Sequence, residues 1–218
     1  MNITSKLVAF VSLFSVVAII FAADHPVPSV SADAALAKLK EGNARFVSSK
    51  VSTSKPTAAR RAEIAQGQHP FAIILGCADS RTSPEIIFDQ NIGDIFVDRN
   101  AGNLVDDHTL GTIEYGVEHL GVRLIVVLGH ERCGAVQAAV ASDTAPGHIQ
   151  SLVRDIQPAV QAVKGKPGDT VHLAVAENAR LMAEEIRTKA NFGDLAKDVK
   201  IIPAVYDLDS GKVDFGKE

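Results

Sequence analysis

Cys77, Asp79 and Arg81 follow one another at intervals of two residues, and His130 and Cys133 lie three apart. Two thiolates and one imidazole are borderline-soft donors of the kind that bind Zn²⁺. Three protein ligands leave the fourth tetrahedral position to water, which is the mark of a catalytic rather than a structural zinc. Zinc in such a site brings the pKa of its water to about 7, so hydroxide is available near neutral pH. In an extended segment residues i and i+2 point the same way, so Asp79 would either ligate the metal or accept the proton of the hydroxide. Arg81 would hold that carboxylate in a bidentate ion pair and keep it ionised. Blander readings exist: Cys77 and Cys133 could form one disulfide, His130 could be a satisfied core histidine, and Asp79–Arg81 could be an ordinary surface pair. The residues alone leave these readings open.

Two apolar runs must position the reactive groups. Phe71–Leu75 is short, partly β-branched and bounded by Pro70 and Gly76, and Leu124–Leu128 ends at Gly129. Such runs read as strands buried on both faces. Cys77 follows the first, and His130 and Cys133 follow the second, so neighbouring strands would bring all three to one sheet edge, where α/β sheets bind ligands. Ile95–Val97 and Ile201–Tyr206 are further strands, the last turning through Asp209-Ser210-Gly211 into a hairpin with residues 212–215. Helices are expected from Ser31 as an N-cap, over 57–66, 107–120, 134–141, 147–164 with an interruption at Pro158, and 170–190. Cys133 would open the helix 134–141, where the dipole favours its thiolate. Helices alternating with apolar strands imply an α/β fold, with a mainly parallel central sheet flanked by helices.

The chain has 218 residues, with 26 acidic and 22 basic side chains and a formal net charge of −4. An acidic chain without a basic block is a poor nucleic-acid binder. Aromatic residues make up 5% and Trp is absent, which argues against a base-stacking surface. Lys6 precedes the apolar run 7–21, and Ala22-Ala23 follow it. This pattern predicts a secretory signal over residues 1–22 and a single mature domain over 23–218. The product would be exported, periplasmic in a Gram-negative bacterium and otherwise secreted. Retention as an N-terminal anchor is the other reading of the same run. No other segment is apolar enough to span a bilayer, so no membrane contact is expected once the signal is removed.

Cys77-Ala78-Asp79-Ser80-Arg81 and His130-x-x-Cys133-Gly134 resemble the two signature motifs of the β-class carbonic anhydrases. Phe96-Val97-Asp98-Arg99-Asn100-Ala101-Gly102-Asn103 is similar to a third family stretch, with Gly102 where Ala is commoner. The resemblance covers about residues 35–206. It implies reversible hydration of CO₂ to bicarbonate, one zinc per subunit on Cys77, His130 and Cys133, and Asp79–Arg81 as catalytic dyad. It implies that Gln68 and the Gly134 N–H contact substrate, that Phe96 and Ala101 line the cleft, and that Tyr115 enters it from the other subunit. It also implies a homodimer or higher oligomer in which the helices of residues 31–66 embrace the partner. Ile74 stands where a second subgroup carries a Trp, so the chain is similar to the plant-like subgroup, whose zinc is open. In other members the Asp closes the zinc. Two further expectations use the same residues: a CS₂ or COS hydrolase, and a non-enzymatic zinc or thiol-redox protein.

Overall fold

A computed structural model describes residues 30–51 and 56–217. The apolar run 7–21 and the predicted signal lie outside these residues. Among the described residues no helix is long and apolar enough to cross a membrane.

The sheet has five strands: β1 (Ala72–Cys77), β2 (Ile95–Asn100), β3 (Leu124–His130), β4 (Lys200–Tyr206) and β5 (Val213–Phe215). Their spatial order is β2-β1-β3-β4-β5, parallel throughout except for β5, which runs antiparallel to β4. The helices are α1 (Ala32–Val47), α2 (Ala58–Ile64), α3 (Pro84–Ile87), α4 (Asp107–Glu118), α5 (Gly134–Ala141), α6 (Ile149–Val163) and α7 (Thr170–Lys189). A 3₁₀ segment, Gly193–Asp198, precedes β4. The expected α/β sheet is present, and every residue of β1 and β3 is buried, as their unbroken apolar runs require.

Side chains alternate between two cores. Ile73, Leu75, Cys77, Ile125 and Val127 point toward α4, α5, α6 and α7. Ala72, Ile74, Leu124, Val126 and Leu128 point toward Ala35 and Leu39 of α1 and toward Ile87 and Phe88 at α3. Cys77 is therefore on the four-helix side of the sheet, one residue beyond Gly76, which pairs with Leu128. That register sets the carboxyl ends of β1 and β3 level.

The helix α1 is bound to its own chain. Buried Asn43 donates from Nδ2 to the carbonyls of Ile87 and Gly211, and its Oδ1 accepts the Val213 N–H. Asp33 pairs with Lys200 at 2.7 Å. Gly42 permits the approach, because a Cβ there would collide with the Phe88 carbonyl. The helix α1 buries its apolar stripe, Ala35 and Leu39, on this chain's sheet. The helix α2 buries none of its residues, and Arg60 ties it to the Ile92 carbonyl and Asp94. Pro158 does not interrupt α6 as expected. It lies on the exposed side, where water can satisfy the carbonyl its missing N–H leaves free.

Candidate metal centre

The nucleus of the site is Cys77, His130 and Cys133, whose donor atoms all lie within 4.8 Å of one another. All three are buried, at 5%, 1% and 2% exposure. Cys77 ends β1, His130 ends β3, and Cys133 is the N-cap of α5. Arg132, at φ 52°, takes the left-handed turn that carries the chain from the strand into the helix. Two parallel strands ending level and one tight turn therefore suffice to gather the three donors.

The donors fit a zinc ion on their own chemistry. His130 Nδ1 lies 2.9 Å from the Glu131 carbonyl, an acceptor, so Nδ1 carries the proton and Nε2 keeps its lone pair. That Nε2 is buried and has no hydrogen-bond partner. An orphaned acceptor facing two sulfurs is the arrangement a cation satisfies. The Cys77 and Cys133 sulfurs are 3.9 Å apart, in hydrogen-bond contact and not joined as a disulfide. The Cys133 contact pulls the Cys77 thiol strongly down, and Cys77 in turn pushes the Cys133 thiol up. The first-turn N–H groups of Ala135 and Val136 favour a Cys133 thiolate against that push.

Asp79 lies at the rim, its Oδ2 3.8 Å from His130 Nε2. Both its oxygens are held by Arg81: Oδ1 by Nε at 2.9 Å and by the backbone N–H at 3.0 Å, Oδ2 by Nη2 at 2.7 Å. The Arg81 guanidinium keeps the Asp79 carboxyl far below the usual carboxylate range. The bidentate pair expected from the i, i+2 spacing is present, with Asp79 turned to Arg81.

Two residues that side-chain pattern did not single out hold this loop. Arg99 of β2 donates from Nε to the Cys77 carbonyl at 2.8 Å and from Nη2 to the Asp79 carbonyl at 2.6 Å. Thr82 Oγ1 donates to the Asp79 carbonyl at 2.9 Å. Arg99 thus fixes the turn that carries both the first thiolate and the carboxylate. Its targets are main-chain oxygens about twenty residues away, and nothing in residue spacing marks such a bond. Arg99→Ala is expected to weaken zinc retention about tenfold in chelator competition, with secondary structure unchanged. Arg99→Lys should recover little, because one ammonium cannot bridge both carbonyls as a planar fork does. Unaltered retention in Arg99→Ala would mean that Thr82 holds the loop by itself.

The remaining candidates are placed less closely. Gly134 is the exposed first residue of α5, and a Cβ there would meet nothing within 4 Å. Phe96 and Ala101 are half-buried on β2 and just after it. Tyr115 is 46% exposed on α4, and its ring lies 6.2 Å from Phe96 and 5.1 Å from His119. Gln68 is exposed between α2 and β1, and no hydrogen bond among the described residues holds it. The described histidines other than His130 are exposed: His69, His108, His119, His148 and His172.

A family model described as carbonic anhydrase matches residues 72–213. Over 137 residues the chain is 49% identical to carbonic anhydrase 2 of Mycobacterium tuberculosis, covering 61% of this chain and 66% of that protein. A carbonic anhydrase of Mycolicibacterium smegmatis is 43% identical over the same length and the same shares. The chain thus spans just under two thirds of these relatives. Among solved structures, a Coccomyxa β-carbonic anhydrase in complex with acetazolamide superposes with a TM-score of 0.64 at 26% identity, over 82% of this chain and 85% of that one. A β-carbonic anhydrase of Aspergillus fumigatus gives 0.64 at 25% identity, over 85% and 90%. With a family model covering both reactive strand ends and the fold shared with those structures, the chain belongs to the carbonic anhydrase family, in its β class.

Proposed function

We propose that this protein hydrates CO₂ reversibly to bicarbonate and a proton, with zinc held by Cys77, His130 and Cys133. The observation that carries this reading is the buried Cys-His-Cys cluster with a carboxylate 3.8 Å away whose oxygens are already engaged by an arginine. A storage or structural metal site has no use for that carboxylate, and a disulfide would leave His130 Nε2 orphaned.

Bound zinc would supply a Lewis acid that acidifies water to a pKa near 7. The chain's residues do the rest. Asp79, ionised and fixed by Arg81, accepts a hydrogen bond from the attacking oxygen and aims its lone pair at carbon. The Gly134 N–H donates to a substrate oxygen as negative charge grows on it, at the positive end of α5. Phe96 and Ala101 offer an apolar wall suited to linear, nonpolar CO₂. Gln68 adds a second donor to substrate, and Tyr115 of a second copy closes the cleft, as the family resemblance implies. The proton released leaves to buffer.

Three finer readings accompany this one. Ile74, buried in mid-strand, and the engagement of Asp79 by Arg81 support the plant-like, open form. A homodimer is favoured by the exposure of Tyr115 and of α2. Residues 1–22 act as a signal and send the domain 23–218 out of the cytoplasm. The related expectation of a CS₂ or COS hydrolase uses the same nucleophile, so substrate preference decides. Rates with CO₂, COS and CS₂ should favour CO₂ by orders of magnitude. Preference for a sulfur-containing substrate would replace this assignment.

A further inference from the structure

Asn178 of α7 is 1% exposed, and its Nδ2 donates to the Gly102 carbonyl at 2.9 Å. Gly102 in turn donates its own N–H to the Cys77 sulfur at 3.4 Å. The carbonyl of Gly102 fixes the amide's orientation, since a flipped Asn178 would set oxygen against oxygen. In that orientation Asn178 Oδ1 is buried without a partner. Half the hydrogen-bonding capacity of a core side chain is thus unmet, and an apolar residue of equal size would avoid that cost. What the asparagine achieves is the position of one peptide group.

That peptide needs holding. Gly102 lies at φ 87°, in the left-handed region, within a turn running from Asn100 to Leu104. The Asn100 side chain bonds the Leu104 N–H and carbonyl and closes the turn on one side. Asn178 closes it on the other, from a helix that packs directly against β3. A Cβ on Gly102 would come to 3.0 Å from Ile156 Cδ1, so the seat is tight as well as left-handed.

We infer that Asn178 is a positioning residue for the zinc site: by pinning Gly102 it directs an N–H at Cys77 Sγ, which moderates the sulfur's electron donation and holds it in ligating position. The inference rests on the zinc reading above. A hydrogen bond to a ligating thiolate lowers the energy of its lone pairs, and partners of this kind are typically worth 10–100-fold in metal affinity.

The test replaces zinc by cobalt(II) in the full-length protein, where thiolate-to-metal charge transfer reports the sulfur directly. Asn178→Leu keeps the number and branching of the side chain's heavy atoms and removes the donor. Its charge-transfer band should move to lower energy, and its zinc should be lost to excess chelator at least about tenfold faster than from wild type. Asn178→Ser, whose hydroxyl falls short of Gly102, should do the same if the leucine variant does not fold. Val175→Ala, a cavity on the same helix against Gly129, should lower the melting temperature without moving the band. An unmoved band and unchanged zinc loss in both Asn178 variants would overturn the inference, as would shifts in Val175→Ala of equal size. Wild-type protein that takes up neither cobalt nor zinc would overturn the zinc reading, and this inference with it.

Discussion

Asp79→Asn is expected to retain its zinc and to lose most of its CO₂ hydration. The amide matches the carboxylate in size, so the loop held by Arg99 and Thr82 should keep its shape. Zinc should stay because Asp79 is turned to Arg81, with Oδ1 and Oδ2 both engaged. What disappears is the negative charge that accepts a hydrogen bond from the attacking oxygen and orients it. Groups in that role contribute typically 10²–10⁴-fold, so turnover should fall by at least about 10². Metal content by elemental analysis and initial rates on the same sample decide the matter. Full zinc with unchanged turnover would remove Asp79 from the mechanism. Loss of zinc along with activity would make it a ligand, and the site a closed one.

Cys133→Ser should have the opposite signature, with metal and activity lost together. Serine offers no thiolate, and it stands at a position only 2% exposed. Zinc binding worth about 10–16 kcal/mol over four ligands gives about 3 kcal/mol per ligand, on the order of a 10²-fold loss of affinity. Wild-type protein should keep one zinc per chain through dialysis against a weak chelator, and the variant should not. The fold should persist, because β1, β3 and the two cores are built from apolar burial on both faces of the sheet rather than from the metal. A variant that keeps stoichiometric zinc would mean that Cys133 is not a ligand.

These expectations draw on features of very different visibility. The strands β1 and β3 could be read directly, since a strand covered on both faces admits no polar residue and leaves an unbroken apolar run. The three candidate ligands were readable because they stand where those runs end. The four-residue helix α3 was not legible, being too short for any period to show, and it matters because it gives α1 its seat. Pro158 misled, since an exposed proline costs an α-helix less than a buried one. Gly102 looked like a small change from Ala, yet its positive φ and the crowding by Ile156 make it the residue the turn requires. Arg99, quoted within the stretch 96–103, and Asn178 were given no role for one shared reason. Both act on main-chain oxygens brought near by the fold, and such partners leave no mark in residue type or spacing.

The proposed zinc-dependent CO₂ hydration rests on the Cys77–His130–Cys133 cluster. Stopped-flow hydration of CO₂ by the purified protein tests it most directly, measured at neutral pH as isolated, after removal of metal by a chelator, and after zinc is returned. Fast turnover near pH 7 is expected, lost when the metal is removed and recovered when zinc is returned. Zinc-loaded protein that hydrates CO₂ no faster than buffer would contradict it.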